Sequence, residues 1–212
     1  MPDQVGMMND IQIDVFREIG NIGSSSAATA LSKIVDRRID LSLPKVRIMN
    51  FNEISQVMGG EEEKVIGIMQ PMNGDLKGNI MFMLRLKEAH DLATILINRM
   101  LHEDAPAPQA AGHFNDMELS ALREIGNILI SSYLSAISGL TKLKITPTAP
   151  AMSMDMAGAI LSVLTIEFGK IGDKVLYIES EFSQDSVKVG GDFFLVPDID
   201  SYGTLLRALG VG

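Results

Sequence analysis

The sequence predicts an α+β fold in which one α-β-(α)-β-β-α unit occurs twice, with long helices packed on a continuous, mostly antiparallel sheet. Three observations lead to this prediction. A helical stretch near the start recurs 106 positions later, alternating apolar segments follow each copy, and each repeat ends in an amphipathic helix. We expect a single domain with repeats at about 9–102 and 115–212, related by a pseudo-two-fold axis and joined by a linker at 103–114.

The repeated stretch is specific enough to indicate internal duplication. Both copies contain Arg-Glu-Ile-Gly-Asn-Ile, at 17–22 and at 123–128. Pro44 and Pro150 keep the same offset, each 23 positions after the asparagine of its copy. A matching core with a matching distant proline is typical of a duplicated unit.

Both copies are predicted to be helices, at 9–36 and 116–138, and Asn9 and Asn115 are suitable N-terminal caps. In the first helix the apolar stripe consists of Ile11, Val15, Ile19 and Ile22. A polar stripe runs beside it with the spacing i, i+4, i+7, which places its side chains on one face. Its members are Asp14, Glu18 and Asn21 in the first copy and Ser120, Glu124 and Asn127 in the second.

Glycine stands inside both helices, at Gly20 and Gly126, where it costs about 1 kcal/mol relative to alanine. Close packing of each helix against a neighbour is one interpretation. A functional polar face is the other, and the same Glu and Asn in both copies favour it.

The remaining segments supply the other elements of each unit. The first repeat is expected to contain a strand at 43–51, a short helix at 52–58, a hairpin of 64–70 and 76–86 with its turn at 71–75, and a helix at 87–101. The second is expected to contain a strand at 149–155, a helix at 157–168, a hairpin of 174–182 and 187–196, and a helix at 198–209 capped by Asp198.

Composition excludes several classes of function. The net charge of −9 argues against nucleic-acid binding, and no apolar run is long enough for membrane insertion. The absence of cysteine excludes disulfides and thiol catalysis and, with no signal-peptide pattern, predicts a cytoplasmic protein. His90, His102 and His113 are scattered, so no metal site is expected. A carboxylate, an amide and a hydroxyl remain, which suit an activated substrate that needs only a positioned water.

The motif Asp/Ser-x-x-x-Glu-x-x-Asn, followed at fixed distance by Pro, resembles the signature of the CheC/CheX/FliY phosphatases of bacterial and archaeal chemotaxis. The matching residues are Asp14, Glu18, Asn21, Pro44, Ser120, Glu124, Asn127 and Pro150. Two complete motifs are typical of the CheC branch, since CheX-type members carry one motif and FliY-type members add a flagellar-switch domain. The resemblance covers nearly the whole chain.

The resemblance implies an enzyme that hydrolyses the aspartyl phosphate of the response regulator CheY. Asn21 and Asn127 would each hold a water in line with phosphorus, because an amide both donates and accepts hydrogen bonds. Glu18 and Glu124 would pair with the regulator's lysine beside the phosphate. Phosphorylated CheY would supply Mg²⁺, so this chain, expected to be monomeric alone, would bind no cofactor itself.

The two sites need not be equal. After its asparagine the first helix has Gly23 and Ser24, where the second has Leu129 and Ile130. Fewer apolar anchors and an extra glycine are expected to hold Asn21 less rigidly. We therefore expect the second site to be the stronger.

The resemblance also implies a second partner, the receptor deamidase CheD. Segment 157–168 and the residue before it carry apolar side chains at near-helical spacing, namely Met156, Ile160, Leu164 and Phe168. If this face is exposed, Ile160 and Leu164 would contact CheD; the other interpretation is that the face belongs to the core. A non-catalytic adaptor of CheD, or an interaction protein of the flagellar switch, is the alternative function.

Overall fold

The computed structural model describes residues 10–36, 38–42, 44–101, 112–168, 174–184 and 187–210. The helices are α1 (Asp10–Val35), α2 (Ile54–Val57, preceded by a 3₁₀ turn at Phe51–Glu53), α3 (Leu86–Leu101), α4 (Asp116–Thr141), α5 (Ala157–Phe168) and α6 (Ile199–Ala208). The strands are β1 (Asp40–Leu41), β2 (Lys45–Asn50), β3 (Lys64–Gly74), β4 (Gly78–Arg85), β5 (Ile145–Pro147), β6 (Ala151–Met156), β7 (Lys174–Gln184) and β8 (Val187–Pro197).

The eight strands form one sheet in the order β1-β7-β8-β4-β3-β5, with β2 also paired to β7 and β6 to β3. Every pair is antiparallel. Exchanging each strand of the first repeat with its counterpart in the second maps this pairing pattern onto itself. The predicted fold, a duplicated unit with pseudo-two-fold symmetry, is therefore confirmed.

The repeats exchange strands rather than standing side by side. β1 and β2 of the first repeat pair with β7 of the second, and β5 and β6 of the second pair with β3 of the first. β4 and β8 meet at the centre, where Ile80 lies opposite Leu195. Each repeat thus completes the sheet of the other.

The sheet separates two apolar clusters. The larger contains buried residues of α1, α3, α4 and α6, with Phe16, Ile68, Phe82 and Phe193 among them. The smaller lies on the opposite face under α2 and α5 and contains Ile54, Tyr177 and Phe194. Alternation along the strands directs neighbouring side chains to opposite layers, as the period of two requires.

Close helix packing explains the glycines of both helices. A methyl group at Gly20 would lie 2.7 Å from Val46 Cγ2, and one at Gly126 would lie 2.9 Å from Ile68 Cγ2. Gly23 has no room for a side chain either, because the ring of Tyr133 rests against its backbone.

Local sequence signals located most elements correctly, with some differences. The first hairpin turns later than expected, because β3 continues through Pro71 to Gly74. Pro71, which lacks an amide hydrogen, still accepts a hydrogen bond from the backbone of Thr148. The two short strands, β1 and β5, were not predicted. Asn9 and linker residues 102–111 lie outside the described residues.

Burial in the structure decides two apolar faces considered from the sequence. In α1, Ile19 of the predicted stripe is fully buried and Val15 and Ile22 are half-buried, but Ile11 is 65% exposed and lies outside the buried face. In α5, Ile160 and Leu164 are 9% and 0% exposed, so the interpretation that this face belongs to the core is confirmed, and these two residues do not form an exposed contact surface. Both pack in the smaller cluster, and the side chain of Phe168 lies outside the described part of the structure.

Candidate functional site

The two polar stripes lie on the outer faces of α1 and α4. Glu18, Asn21 and Glu124 are exposed, and Asn127 is half-buried. The i, i+4, i+7 spacing therefore produces two surface sites, as predicted from the sequence. α1 and α4 are the counterpart helices of the two repeats, so the two stripes occupy corresponding positions in the duplicated unit.

A capping box fixes the start of α4. The Asn115 side chain accepts a hydrogen bond of 2.9 Å from the backbone amide of Glu118, whose carboxylate accepts one of 2.7 Å from the backbone amide of Asn115. This confirms the predicted cap. It also fixes where the helix begins, and hence the direction in which Ser120, Glu124 and Asn127 project.

The first stripe carries more charge than the second. Asp14 forms an exposed ion pair of 3.0 Å with Arg17, whereas the uncharged Ser120 occupies the equivalent place in α4. Pro44 packs against α1, 3.2 Å from the position that a methyl group at Gly20 would occupy. Pro150, its counterpart, is half-buried at the end of the segment before β6.

The second stripe rests on a residue that the sequence analysis missed. Gln70 of β3 is only 3% exposed. Its amide nitrogen Nε2 lies 2.6 Å from the Thr148 carbonyl oxygen and 3.4 Å from Asn127 Oδ1. The available signal was a polar amide inside the apolar part of a strand, between Met69 and Pro71.

The counterpart of the Gln70 contacts is a buried group of hydroxyls centred on Tyr133 of α4, which reaches across to α1. The buried hydroxyl of Tyr133 lies 2.6 Å from Ser24 Oγ and 2.7 Å from Ser180 Oγ, which joins α1, α4 and β7. Burial raises the pKa of this hydroxyl, although the two serine contacts partly oppose the shift. The hydroxyl therefore stays protonated and acts as a structural connection between the helices.

Within the described part of the chain, no three His, Asp or Glu side chains come together in a group that could hold a metal ion. No described helix combines the length and the apolar character needed to cross a membrane. The chemistry on the two stripes is thus that of carboxylates, amides and hydroxyls.

Comparisons with known proteins agree with the duplicated site. The model of the CheC-like family matches residues 11–48 and 117–154, which contain the two stripes and their prolines. The CheY-P phosphatase CheC of Bacillus subtilis (strain 168) is 33% identical over 201 residues, which cover 94% of each chain.

Solved structures support the fold. FliY of Thermotoga maritima superposes with a TM-score of 0.73 at 19% identity and covers 96% of this chain and 98% of that one. The FliM middle domain from H. pylori gives 0.68 at 15% identity, covering 95% of this chain and 99% of that one. These likenesses concern the fold alone. The identity to the Bacillus subtilis protein over nearly the full length, together with the two matched motif segments, places this chain in the CheC-like family.

Proposed function

We propose that this protein is a phosphatase that hydrolyses the aspartyl phosphate of a CheY-type response regulator, through two sites on α1 and α4. The observation that carries the proposal is a Glu-x-x-Asn stripe on the surface at corresponding places of both repeats, with Asn127 half-buried and the other three residues exposed. A relative that is 33% identical is named as a CheY-P phosphatase. The same reaction is proposed for this chain.

The spacing suits an in-line attack by water. Glu and Asn are three residues apart, which is about 4.5 Å along a helix axis and roughly one turn. The Asn amide can accept from a water and donate to a phosphoryl oxygen, so that it orients the nucleophile. Phosphoryl transfer depends mainly on positioning and charge stabilisation, and an aspartyl phosphate is already activated.

The glutamate serves docking rather than chemistry. A carboxylate facing the phosphate would repel it, so Glu18 and Glu124 pair instead with a cation of the regulator beside the phosphate. The regulator carries the Mg²⁺ on which phosphoryl transfer depends, and this chain contributes no ligand to it. Asp14 and Ser120 lie one helical turn before the glutamates and border the same interface.

An exposed apolar residue precedes each polar stripe, at corresponding positions of α1 and α4. Ile11 is 65% exposed and Met117 is 50% exposed, and each lies seven residues before its glutamate. An apolar contact beside a charged pair is a common arrangement at interfaces. We propose that the regulator covers these two side chains when it docks.

The test is the rate of phosphate release from phosphorylated CheY by single and double variants. Asn21→Ala and Asn127→Ala should each leave partial activity, and the double variant should lose at least ~10-fold in kcat, because the nucleophile is no longer positioned. Full activity in the double variant would contradict the catalytic proposal. It would favour an interaction role, with which the FliM- and FliY-like fold is compatible.

Glutamate variants separate docking from chemistry. Glu124→Gln in an Asn21→Ala background should raise KM more than it lowers kcat, because an interfacial charge pair is lost while the amide stays in place. Glu62→Gln, on an exposed loop, is the matched control and should change neither constant. A fall confined to kcat would instead assign the carboxylate to the chemical step.

A second proposal concerns CheD, and α5 carries the observation that favours it. Val163 and Ile166 are 43% and 80% exposed on this helix, and Met154 and Met156 are 47% and 46% exposed on the preceding strand β6. Such an apolar surface is typical of a partner-binding face. Ile166→Glu should abolish capture of CheD without loss of stability, whereas Ile160→Glu should destabilise the fold because Ile160 is buried. Undiminished capture by a folded Ile166→Glu variant would contradict this proposal.

A further inference from the structure

Gln70 lies beneath the second site, and the donor and acceptor of each of its hydrogen bonds can be assigned. Its Nε2 group donates to the Thr148 carbonyl oxygen at 2.6 Å and to Asn127 Oδ1 at 3.4 Å. The side chain is 3% exposed, so water does not compete freely for these bonds. Its Oε1 atom is buried and has no hydrogen-bonding partner among the described residues.

The carbonyl of Thr148 determines which way both amides point. A carbonyl oxygen only accepts, so the Gln70 atom at 2.6 Å must be the NH₂ nitrogen. That nitrogen only donates, so the atom of Asn127 that faces it must be the oxygen. The NH₂ group of Asn127 is consequently directed away from Gln70. The half-buried position of Asn127 agrees with an amide held on one side and open on the other.

The first repeat lacks this arrangement. In the strand registers Lys45 pairs with Glu179 and Ala151 pairs with Met69, which makes Ser180 the counterpart of Gln70. The Ser180 side chain is shorter than that of a glutamine, and its hydroxyl lies 2.7 Å from the Tyr133 hydroxyl. Asn21 is exposed, and no hydrogen bond to its side chain is found within the described residues.

We propose that Gln70 is a positioning residue of the second site. It binds one lone pair of Asn127 Oδ1, which leaves the other lone pair for the water and turns the NH₂ group toward the phosphoryl group. No described residue does this for Asn21. The inference rests on the proposed phosphatase function. It predicts that Asn127 is preorganised whereas Asn21 samples several rotamers, so the second site has the higher kcat. The 3.4 Å bond is long, as catalytic hydrogen bonds often are before substrate binds.

Each site is isolated by inactivating the other. Gln70→Met keeps the length of the side chain and removes its hydrogen bonds. In an Asn21→Ala background, where only the second site acts, Gln70→Met should lower kcat by about tenfold and leave KM nearly unchanged. In an Asn127→Ala background, where only the first site acts, the same substitution should leave both constants unchanged, which controls for a general effect on the fold.

A measurement on the free protein tests the inference without activity. NMR couplings that report χ1 should show one rotamer for Asn127 and averaging for Asn21 in the native protein. In the Gln70→Met variant Asn127 should become averaged too. This result is accessible even if the variant is less stable, as long as it remains folded.

Several outcomes would overturn the inference. An unchanged kcat for Gln70→Met in the Asn21→Ala background would contradict it, as would an equal loss in both backgrounds or averaging of Asn127 in the native protein. The function itself fails differently, through full activity of the Asn21→Ala, Asn127→Ala double variant. A negative result for Gln70 with an inactive double variant therefore leaves the phosphatase proposal standing.

Discussion

At the scale of single residues, the buried carboxylate of Asp192 is the clearest titrating group. Burial raises its pKa from the ordinary 3.8 to about 6, although a hydrogen bond of 2.7 Å from Tyr177 and the charge of Arg85 partly offset this. The folded protein therefore keeps a proton between these pH values that the unfolded chain has released.

This difference predicts how stability changes with pH. Because the folded state binds more protons, the free energy of unfolding should fall as pH rises from about 4 to about 6, by about 3 kcal/mol for this group. Asp192→Asn removes the charge but keeps an acceptor for Tyr177, so the variant should lack this component. Urea unfolding of both proteins at several pH values measures it.

Residue-scale prediction succeeded where the signal was local and failed where it was not. Asn115 and Glu118 are three positions apart, and their mutual capping could be predicted from that spacing alone. Gln70 lies 57 positions from Asn127 and 78 from Thr148, so only the folded sheet brings the three together. The exposure of Glu18 and Glu124 followed from the helical period.

At the scale of elements, the position of α4 over the sheet depends on the absence of a side chain at Gly126. A methyl group there would overlap the side chain of Ile68, which is fully buried. Gly139 in the same helix has no atom within 4 Å of an added methyl group. The two glycines thus form a matched pair for mutation.

The expected effects have opposite signs. Gly139→Ala should stabilise the protein by about 0.4–1 kcal/mol, because alanine restricts the unfolded chain. Gly126→Ala should destabilise it by about 1–3 kcal/mol despite the same helical gain, because overpacking displaces the helix from the sheet. Urea unfolding compares the two. Equal stabilisation by both would mean that α4 does not pack closely at Gly126.

The rotation of α5 could not be predicted, for a physical reason. Nearly every position of this helix is apolar, so no polar stripe marks the solvent side. Ile160 and Leu164 turn out to face the sheet, and Val163 and Ile166 face outward. The boundaries, in contrast, were correct at both ends, because they depend on where the apolar run begins and ends.

At the scale of the whole molecule, the exchange of strands predicts one cooperative unfolding transition. Neither repeat retains its edge strands or the central β4–β8 pairing without the other. The native tyrosines, at positions 133, 177 and 202, all belong to the second repeat. A Phe51→Trp variant adds a fluorescent probe to the first, at a half-buried site beside the smaller cluster.

Denaturant titrations monitored by tyrosine, tryptophan and far-UV circular dichroism should give coincident midpoints. The tyrosine signal is recorded in the native protein and the tryptophan signal in the variant, with circular dichroism of both as the control for altered stability. Separate midpoints for the two probes would show that the repeats unfold as independent units.

The contact between Tyr133 and Gly23 also decides which halves can face each other. Under the offset of 106, Gly23 corresponds to Leu129 and Tyr133 to Ala27. Two second repeats would press each tyrosine ring against a leucine, and two first repeats would leave an unfilled void on both sides. The interface is a knob in one half and a hole in the other. A single repeat cut from this chain should therefore not form a well-packed homodimer unless both positions are changed together.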